Sequence, residues 1–343
     1  MLEKPLDGYR VVEFATVGGI PFCGLILAQL GAEVRQIRNP RMPELGIPVP
    51  PEADMGRWRR HIVELDLKTS EGCEAAVRLI DDADVLIEGF RPGVMEKLNL
   101  GPAACLARRP GLIYGRMTGW GQQGPWADRA GHDINFIAMS GALHAMGSSE
   151  GPPMVPLNLV GDLAGGALYL ALAINAALLQ RERSGLGGVI DAAMMDGATH
   201  MLSGIYGRLG AGIWRDRPAA NVIDGGVPWY RCYRCADGGW MAAGAIEARF
   251  YRIFVEALGL SPDTLPDRDQ RAHWPALEKI FTERFASRPR SHWESVFEPL
   301  DACVTPVLSL SEASRHPQQA ARNRFENLQD GTPVPRWTWL AGQ

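Results

Sequence analysis

The chain has 343 residues, of which 46% are hydrophobic and 22% charged, and its formal net charge is −4. This length and balance are typical of a globular protein with room for two domains, and the acidic charge argues against a dedicated nucleic-acid-binding protein. The first residues lack the apolar stretch of a signal peptide. Because the apolar run 163–179 is short for a membrane span, we expect a buried helix there and a cytoplasmic protein.

The six cysteines lie mostly singly in apolar stretches, which is typical of reduced thiols. Cys232 and Cys235 form a CxxC pair. No second pair or histidine at ligand spacing accompanies them, so two positions on one hairpin strand are favoured over a metal or redox site. We therefore expect no metal centre.

The first half of the chain alternates strands and helices. Hydrophobic runs predict strands at residues 10–15, 33–38, 84–88 and 112–117. Between them, periodic patterns predict helices at 20–30 and 69–82, the second opening on the capping residue Thr69. This alternation predicts an α/β fold with a parallel sheet and crossover helices.

The second half is richer in helices. Helices are expected at 133–146, 162–180 and 194–209, with a strand at 188–192. A hairpin at 229–245, helices at 248–258, 275–287 and 292–300, and a strand at 303–308 follow. We thus predict a large domain over 1–209, a linker at 210–227, a small α+β domain over 228–310, a second linker at 311–321, and a tail, 322–343, that packs on the large domain.

Two segments each bring one titratable group to a Gly-flanked turn at the start of an apolar helix. They are Gly-His-Asp-Ile-Asn at 131–135 and Pro-Leu-Asn-Leu-Val-Gly-Asp at 156–162. A helix N-terminus disfavours the imidazolium and so keeps His132 neutral and basic. A structural histidine and an N-cap aspartate are the alternatives for His132 and Asp162. Together the two groups could remove a proton from one face of a carbon and return one to the other.

Other motifs are weaker when taken alone. The Gly-x-Gly-x-x-Gly pattern at 119–124 is followed by Pro125 and opens no helix, which argues against NAD binding. Arg91, just after a predicted strand, is placed to bind phosphate, with Lys97 close behind. Residues 65–68 are an extended segment or an edge strand, and Glu247 begins a helix whose dipole it complements.

With these residues assembled, the chain resembles the family III CoA-transferases (the CaiB/BaiF family), and within that family its α-methylacyl-CoA racemases. The resemblance covers nearly the whole chain. The Gly-His-Asp-Ile-Asn block is the racemase-specific part, whereas an aspartate at position 162 is shared with the transferases. The other matching blocks are residues 6–13, 29–33, 65–68, 91–93, 117–122, 156–162, 191–194 and 301–307.

The resemblance implies a Rossmann-like large domain, a small domain and an interlocked homodimer with the active site between subunits. It implies an isomerase of fatty acid and lipid metabolism that epimerises 2-methylacyl-CoA at C2, with no cofactor besides the CoA of its substrate. His132 and Asp162 would be the acid/base groups, and Glu247 of the partner chain would orient His132. The alternatives are a CoA transferase with Asp162 as covalent nucleophile and a CoA-binding module without catalysis.

The resemblance also implies a set of CoA-contacting residues. One departure concerns Asn39, which stands before Pro40 where the family often has arginine, so that Arg38 is the candidate replacement. Acyl-chain contacts are expected from Met194, Met195, Ile205, Tyr206 and Trp214, which could equally be core residues. The expected CoA contacts, besides Arg38, are Leu65, Asp66, Leu67, Lys68, Gly89, Phe90, Arg91, Lys97, Gly131, Asp133, Ile134, Asn135 and Phe136.

Overall fold

The computed structural model describes residues 4–40, 49–328 and 331–336. It divides into two compact units. The larger unit contains the chain up to Ala142, Val155–Gly204 and the part from Ala321 onward, and the smaller contains Leu143–Met154 and Ile205–Ala320. The predicted linkers 210–227 and 311–321 thus belong to the smaller unit, apart from Ala321, and the second of them is largely helical.

A six-stranded parallel sheet in the order β3-β2-β1-β4-β5-β6 forms the centre of the larger unit. Strand β3 lies at His61–Glu64, just before the extended segment predicted at 65–68. Those residues instead form the turn before the next helix, where the Asp66 carboxylate accepts the Lys68 N–H at 3.0 Å. The strands are β1 Arg10–Phe14, β2 Glu33–Arg38, β3 His61–Glu64, β4 Val85–Glu88, β5 Ile113–Thr118 and β6 Gly188–Ala193.

Helices cover both faces of this sheet. The predicted Thr69 cap is confirmed, since its hydroxyl accepts the Gly72 N–H at 3.0 Å. The predicted helix 133–146 is interrupted at Gly141, which adopts a φ of 88°. The helices of this unit are α1 Gly19–Gln29, α2 Ser70–Asp81, α3 Val94–Lys97, α4 Pro102–Arg108, α5 Asp133–Ser140, α7 Tyr169–Ser184 and α8 Met194–Met201, with a 3₁₀ turn at Met55–Arg57. Two short helices, α6 Ala142–Ala145 and α9 Ser203–Gly210, lie largely in the smaller unit.

A π-helical segment, Leu159–Leu168, leads directly into α7. The helix predicted from residue 162 thus starts three residues earlier, and the alternative of Asp162 as its N-cap is wrong, because Asn158 holds the cap position. Small residues let α8 pack closely against the segment: a Cβ on Gly197 would lie 1.9 Å from the Gly165 carbonyl oxygen. Such widened turns occur mostly as short insertions and often at functional sites.

The core of the larger unit has one layer on each side of the sheet. Val11 points to the layer that contains α1 and α7, while its neighbour Val12 and then Phe14 point to the layer that contains α2. Successive strand residues face opposite sides of a sheet, and both sides here are covered by apolar helices. This explains why the strands read as continuous hydrophobic runs rather than alternating ones.

The continuous helix Leu159–Ser184 is the one helix in the described ranges that is long and apolar enough to cross a membrane. It has 26 residues, and 39% of its most apolar window is buried. Leu170, Ile174 and Leu178 pack in the core, whereas Leu172 and Leu179 are exposed. The core residues identify one face of this helix as a packing face, in keeping with the buried helix expected for residues 163–179.

A buried ion pair joins β1 to the segment before β3. The Glu13 and Arg60 side chains are both 0% exposed, and Arg60 Nη2 lies 3.1 Å from Glu13 Oε2. Gln36 Nε2 donates to the other carboxylate oxygen at 2.6 Å, and Arg60 also donates to the Pro21 carbonyl at the start of α1. Burial raises the pKa of Glu13 to about 7, against the lowering effect of Arg60 and Gln36.

We expect Arg60→Met to lower the free energy of unfolding by about 3–5 kcal/mol, because it leaves Glu13 buried without its cation. A carboxyl whose pKa is raised on folding stabilises the fold below its unfolded pKa and loses that contribution as pH rises through the folded pKa. The loss should therefore be smaller near pH 5 than near pH 8. Urea unfolding at both pH values measures the loss in the free energy of unfolding. A double variant that also carries Glu13→Gln should lose less unfolding free energy than Arg60→Met alone. An equal or greater loss in the double variant would contradict this account.

The smaller unit is built on a three-stranded antiparallel sheet in the order β7-β8-β9. The predicted hairpin is present, and Phe254, Phe281, Phe285, Trp293 and Phe297 fill the core. Its elements are β7 Tyr230–Arg234, β8 Trp240–Gly244, α10 Ala248–Ala257, 3₁₀ turns at Pro262–Thr264 and Arg271–His273, α11 Trp274–Ala286, α12 Arg290–Phe297, β9 Val304–Pro306, α13 Leu310–Ala313 and α14 Pro317–Ala321.

The tail after α14 forms a short hairpin, β10 Phe325–Asn327 with β11 Pro333–Pro335. Glu326 pairs with Arg59 at 3.0 Å within the larger unit. All six cysteines are free. Within the CxxC pair Cys232 lies on β7 and is exposed, whereas Cys235 directly follows that strand and is buried.

Candidate active site

A cavity of about 490 Å³ opens at the carboxyl ends of the central strands. It is lined by the ends of β1, β2 and β4. The strand order reverses between β1 and β4, and ligands of open α/β sheets bind in the crevice at such a switch point. Thr16 Oγ1, one of the lining residues, is buried and has no hydrogen-bond partner among the described residues. The crevice therefore offers a ligand an unsatisfied polar group.

Five of the expected CoA contacts line this cavity: Leu67, Lys68, Gly89, Phe90 and Arg91. Most of the other lining residues are apolar, among them Phe14, Ile37 and Leu98. Lys68 and Arg91 are exposed, so they place two positive charges at an otherwise apolar hollow. This combination suits a ligand with both a flat apolar part and phosphate groups.

The loop that carries Arg91 is held by a buried ionic cluster at the end of β4. Glu88 accepts the Phe90 N–H at 2.7 Å and the Arg116 Nε–H at 2.9 Å, and Arg116 also pairs with Glu96 of α3 at 2.7 Å. Burial raises the pKa of Glu88, while its hydrogen bonds and Arg116 lower it. The cluster fixes the backbone of residues 88–90 at the mouth of the cavity.

Several expected CoA contacts have other partners. Arg38, the candidate replacement for the family's arginine, donates to Gln36 at 3.0 Å and pairs with Asp54 at 3.3 Å. Its guanidinium therefore already has two partners within the protein. Asn39 lines the cavity. Phe136 is 5% exposed and stacks edge-on against Trp120. Its side chain belongs to the core, and the expected CoA contact of this residue stays a prediction. Leu65, Asp66 and Lys97 are not among the lining residues.

His132 stands at the N-cap of α5, as expected from its Gly-flanked segment. Its side chain is exposed, and Asn135 Oδ1 accepts the His132 N–H at 3.0 Å. Asn135 thus has a capping task that sequence analysis did not assign, while Ile134 is 40% exposed. A Cβ on Gly131 would lie 2.7 Å from the Phe136 ring, so glycine is needed there for the ring to pack beneath the turn.

Asp162 lies on the π-helical segment, beside the first βα turn. A Cβ on Gly18, whose φ is +77°, would lie 3.0 Å from Asp162 Oδ2. Val17, the residue before it, lines the cavity. The carboxylate therefore sits next to the turn that forms one wall of the hollow, and Asn158 Nδ2 donates to its Oδ2 at 3.2 Å.

The segments of His132 and Asp162 are joined by Asp133. Its Oδ2 accepts the backbone N–H groups of Gly161 and Asp162, each at 2.7 Å. The Asp133 side chain is 6% exposed and faces the other segment, and the CoA contact expected of this residue stays a prediction. No pattern in the sequence indicates this link, because it joins positions 29 residues apart.

The surroundings of Asp162 raise its pKa. The causes that raise it are burial and the negative charge of Asp133, whereas the Asn158 hydrogen bond and His132 lower it. His132 is joined to the same site through its neighbour Asp133, which binds the Asp162 N–H. A carboxyl with a raised pKa and a histidine, beside a crevice, are the parts of a proton-transfer site.

Glu247 belongs to the smaller unit, where it holds the N-cap of α10 and is exposed. Its charge raises the pKa of the Cys303 thiol, after burial and Asp301. Of the expected acyl contacts, Met194 is a core residue, Tyr206 is exposed, and Met195 lines a hollow beside Trp120. Ile205 and Trp214 line a cavity of about 920 Å³ in the smaller unit.

Nearly the whole chain is similar to known proteins. Residues 6–342 match the CoA-transferase family III profile. The chain is 43% identical to the α-methylacyl-CoA racemase of Mus musculus, over 96% of this chain and 84% of that protein. It is 41% identical to the Homo sapiens protein of the same name, over 96% and 85%.

A similar fold is found in a solved structure, a CAIB/BAIF family protein from Brucella suis. The TM-score is 0.84 at 26% sequence identity, and the match covers 99% of this chain and 93% of that one. The mixed α/β architecture with its parallel sheet is thus shared along the whole chain.

Proposed function

The chain belongs to CoA-transferase family III, and on that premise we propose that it is an α-methylacyl-CoA racemase. It epimerises 2-methylacyl-CoA thioesters at C2 by moving a proton through an enolate. One observation carries the proposal: His132 directly precedes Asp133, whose carboxylate accepts the Asp162 N–H at 2.7 Å, and Asp162 lies beside a turn that lines the switch-point cavity. The similarity to the mouse and human racemases supports it.

The chemistry needs two groups that exchange roles. The thioester carbonyl acidifies the α-carbon, so one of His132 and Asp162 removes the proton while the other, protonated, delivers one to the opposite face. The first amides of α5 have no partner within the helix and can hold the enolate oxygen, an interaction that strengthens as charge develops. The raised pKa of Asp162 favours this exchange of roles, because it brings the pKa of the carboxyl closer to that of an imidazole.

The switch-point cavity is the proposed site of the CoA nucleotide. Lys68 and Arg91 bind its phosphates, and the apolar walls at Phe14, Ile37 and Leu98 take the flat base. Because CoA arrives as part of the substrate, the reaction requires no separate cofactor. The cytoplasmic location stays a prediction.

The test is to incubate the protein with one epimer of a 2-methylacyl-CoA and an added carboxylic acid. Chiral separation follows the second epimer, and mass spectrometry follows CoA transfer to the acid. The proposal expects the second epimer and no new thioester. A new acyl-CoA formed from the added acid without inversion would instead identify a transferase in which Asp162 is the nucleophile.

The functional protein is proposed to be a homodimer with the active site between subunits. The larger unit exposes apolar side chains along one helix and the neighbouring edge strand β6, namely Leu168, Leu172, Leu179 and Val189. A run of exposed apolar residues favours an interface. In such a dimer Glu247 of one chain orients His132 of the other, as the family resemblance implies.

Mixed dimers test this arrangement. Coexpressed His132→Ala and Glu247→Gln chains should form heterodimers that have one intact site, because both replacements fall on the other site. Random pairing in a two-fold dimer predicts about a quarter of wild-type activity, whereas each variant alone should be nearly inactive. Activity no higher than that of the separate variants, in a sample shown to contain heterodimers, would contradict a site shared between chains.

A further inference from the structure

The Asp133 carboxylate connects the two segments that carry the proton-transfer groups. We propose that Asp133 is a positioning residue, which sets the place of Asp162 relative to His132 and maintains the electrostatic balance between them. The inference deepens the proposed function and rests on it, since it concerns the same proton transfer. It assigns the Asp133 side chain no contact with the reacting atoms.

The geometry is that of a clamp. Asp133 is the first residue of α5, directly after His132, and its Oδ2 accepts two consecutive backbone N–H groups, those of Gly161 and Asp162, at 2.7 Å. Hydrogen bonds from backbone N–H to a carboxylate are stronger than neutral ones. Any shift of α5 is therefore transmitted to the backbone of Asp162.

The approach is close enough to require glycine at position 161. A Cβ there would lie 2.7 Å from Asp133 Oδ2 and 3.2 Å from Ile137 Cγ2. The widened π-helical turn brings both amides to one oxygen. The local irregularity of this helix and the buried carboxylate thus form a single arrangement.

The second oxygen indicates that the charge matters as well as the hydrogen bonds. Asp133 Oδ1 is buried and has no hydrogen-bond partner within the described part of the chain. Burying a charged oxygen without a partner is costly, and an asparagine could accept the same two N–H bonds. What the carboxylate adds is a negative charge, and that charge raises the pKa of Asp162.

The charged groups around Asp162 are few. His132 and Asp133 on α5 both act on it, in opposite directions, and Asn158 donates to it. Helix α1 brings the Gly18–Gly19 turn and no acid or base besides Cys23, and α8 carries Asp196 and His200. Asp133 is therefore the one acidic residue among the groups that shift this carboxyl.

The experiment compares Asp133→Asn and Asp133→Ala with the wild type, using each epimer of 2-methylacyl-CoA in turn. Asp133→Ala should lower kcat by about 10²-fold with little change in KM, because a misplacement of about 1 Å has that effect. Asp133→Asn keeps an acceptor and should recover most of kcat. With the epimer whose proton Asp162 removes, the acidic limb of the pH profile of kcat/KM should lie at lower pH for Asp133→Asn than for the wild type. The reason is that the variant lacks the negative charge that raises the Asp162 pKa.

Asp128→Asn is the matched control, because it removes a negative charge from an exposed position four residues before His132. It should leave kcat and the acidic limb unchanged. A folded Asp133→Ala with wild-type kcat would overturn the proposal, as would an Asp133→Asn enzyme whose kcat and limb both match wild type. If Asp133→Ala does not fold, the asparagine variant decides alone. A wild-type protein that exchanges no α-proton would instead overturn the proposed function itself.

Discussion

His132→Ala is expected to lower the rate of epimerisation by about 10²–10⁴-fold, the contribution of a positioned general base. The imidazole stands exposed at the start of α5, and the next residue, Asp133, binds the Asp162 N–H. Without it, one face of the α-carbon has no group to take or return a proton. Chiral separation of the product epimers over time measures the loss.

CoA affinity supplies the control for this variant. The proposed nucleotide cavity is lined by residues at the ends of β1, β2 and β4 and does not include His132, so calorimetry should give an unchanged dissociation constant. His144→Ala, which removes an exposed histidine in the smaller unit, should leave the rate unchanged. Near-normal epimerisation by His132→Ala with intact CoA binding would remove His132 from the mechanism.

Asp162→Asn is expected to produce a loss of similar size, about 10²–10⁴-fold. The replacement has nearly the same shape, so the close approach to Gly18 is retained. What is lost is a carboxylate that can accept a proton. A folded, CoA-binding variant with this loss would show that the effect is chemical and not structural.

Asp162 also distinguishes a racemase from a CoA transferase, the two activities considered for this family. A racemase that uses Asp162 as a base forms no covalent intermediate, so mass spectrometry of wild-type protein incubated with 2-methylacyl-CoA should find an unmodified Asp162. An acyl or CoA adduct on this carboxyl, absent from Asp162→Asn, would assign the residue to nucleophilic transfer instead.

The parallel sheet could be predicted from the sequence because its strands are continuous apolar runs with both faces covered. The segments 10–15, 33–38, 84–88 and 112–117 were located to within about a residue at most ends. The edge strand His61–Glu64 was missed, since it is short and half-buried. Its polar ends give no strong hydrophobic signal. The extended segment was therefore predicted farther along the chain, directly before the capped helix.

The candidate site was predictable only in part. His132 and Asp162 could be selected because glycine-flanked turns precede apolar helices, a signal that lies within each segment. Their mutual placement could not, because it depends on Asp133 binding amides 28 and 29 residues away. The π-helical turn was likewise hidden, since its register follows from close packing of α8 at Gly165 and Gly197.

Some of the expected CoA contacts illustrate a different limit. Phe136 follows the catalytic block in the chain, yet helical geometry turns its side chain into the core against Trp120. Arg38 has the right charge at the right strand end, but Gln36 and Asp54 bind its guanidinium. Proximity in sequence does not determine where a side chain points, so the packing partners of these residues could not be assigned before the fold was known.

The most direct test of the central claim, that two groups work on opposite faces of one carbon, is deuterium exchange at C2 in D₂O. Each pure epimer is incubated with wild type, His132→Ala and Asp162→Asn, and NMR follows the α-proton. Wild type should exchange the α-proton of both epimers with inversion. Each variant should exchange the α-proton of at most one epimer, without inversion. The epimer that still exchanges should differ between the two variants. Exchange of both epimers by either variant, or none by wild type, would contradict the account.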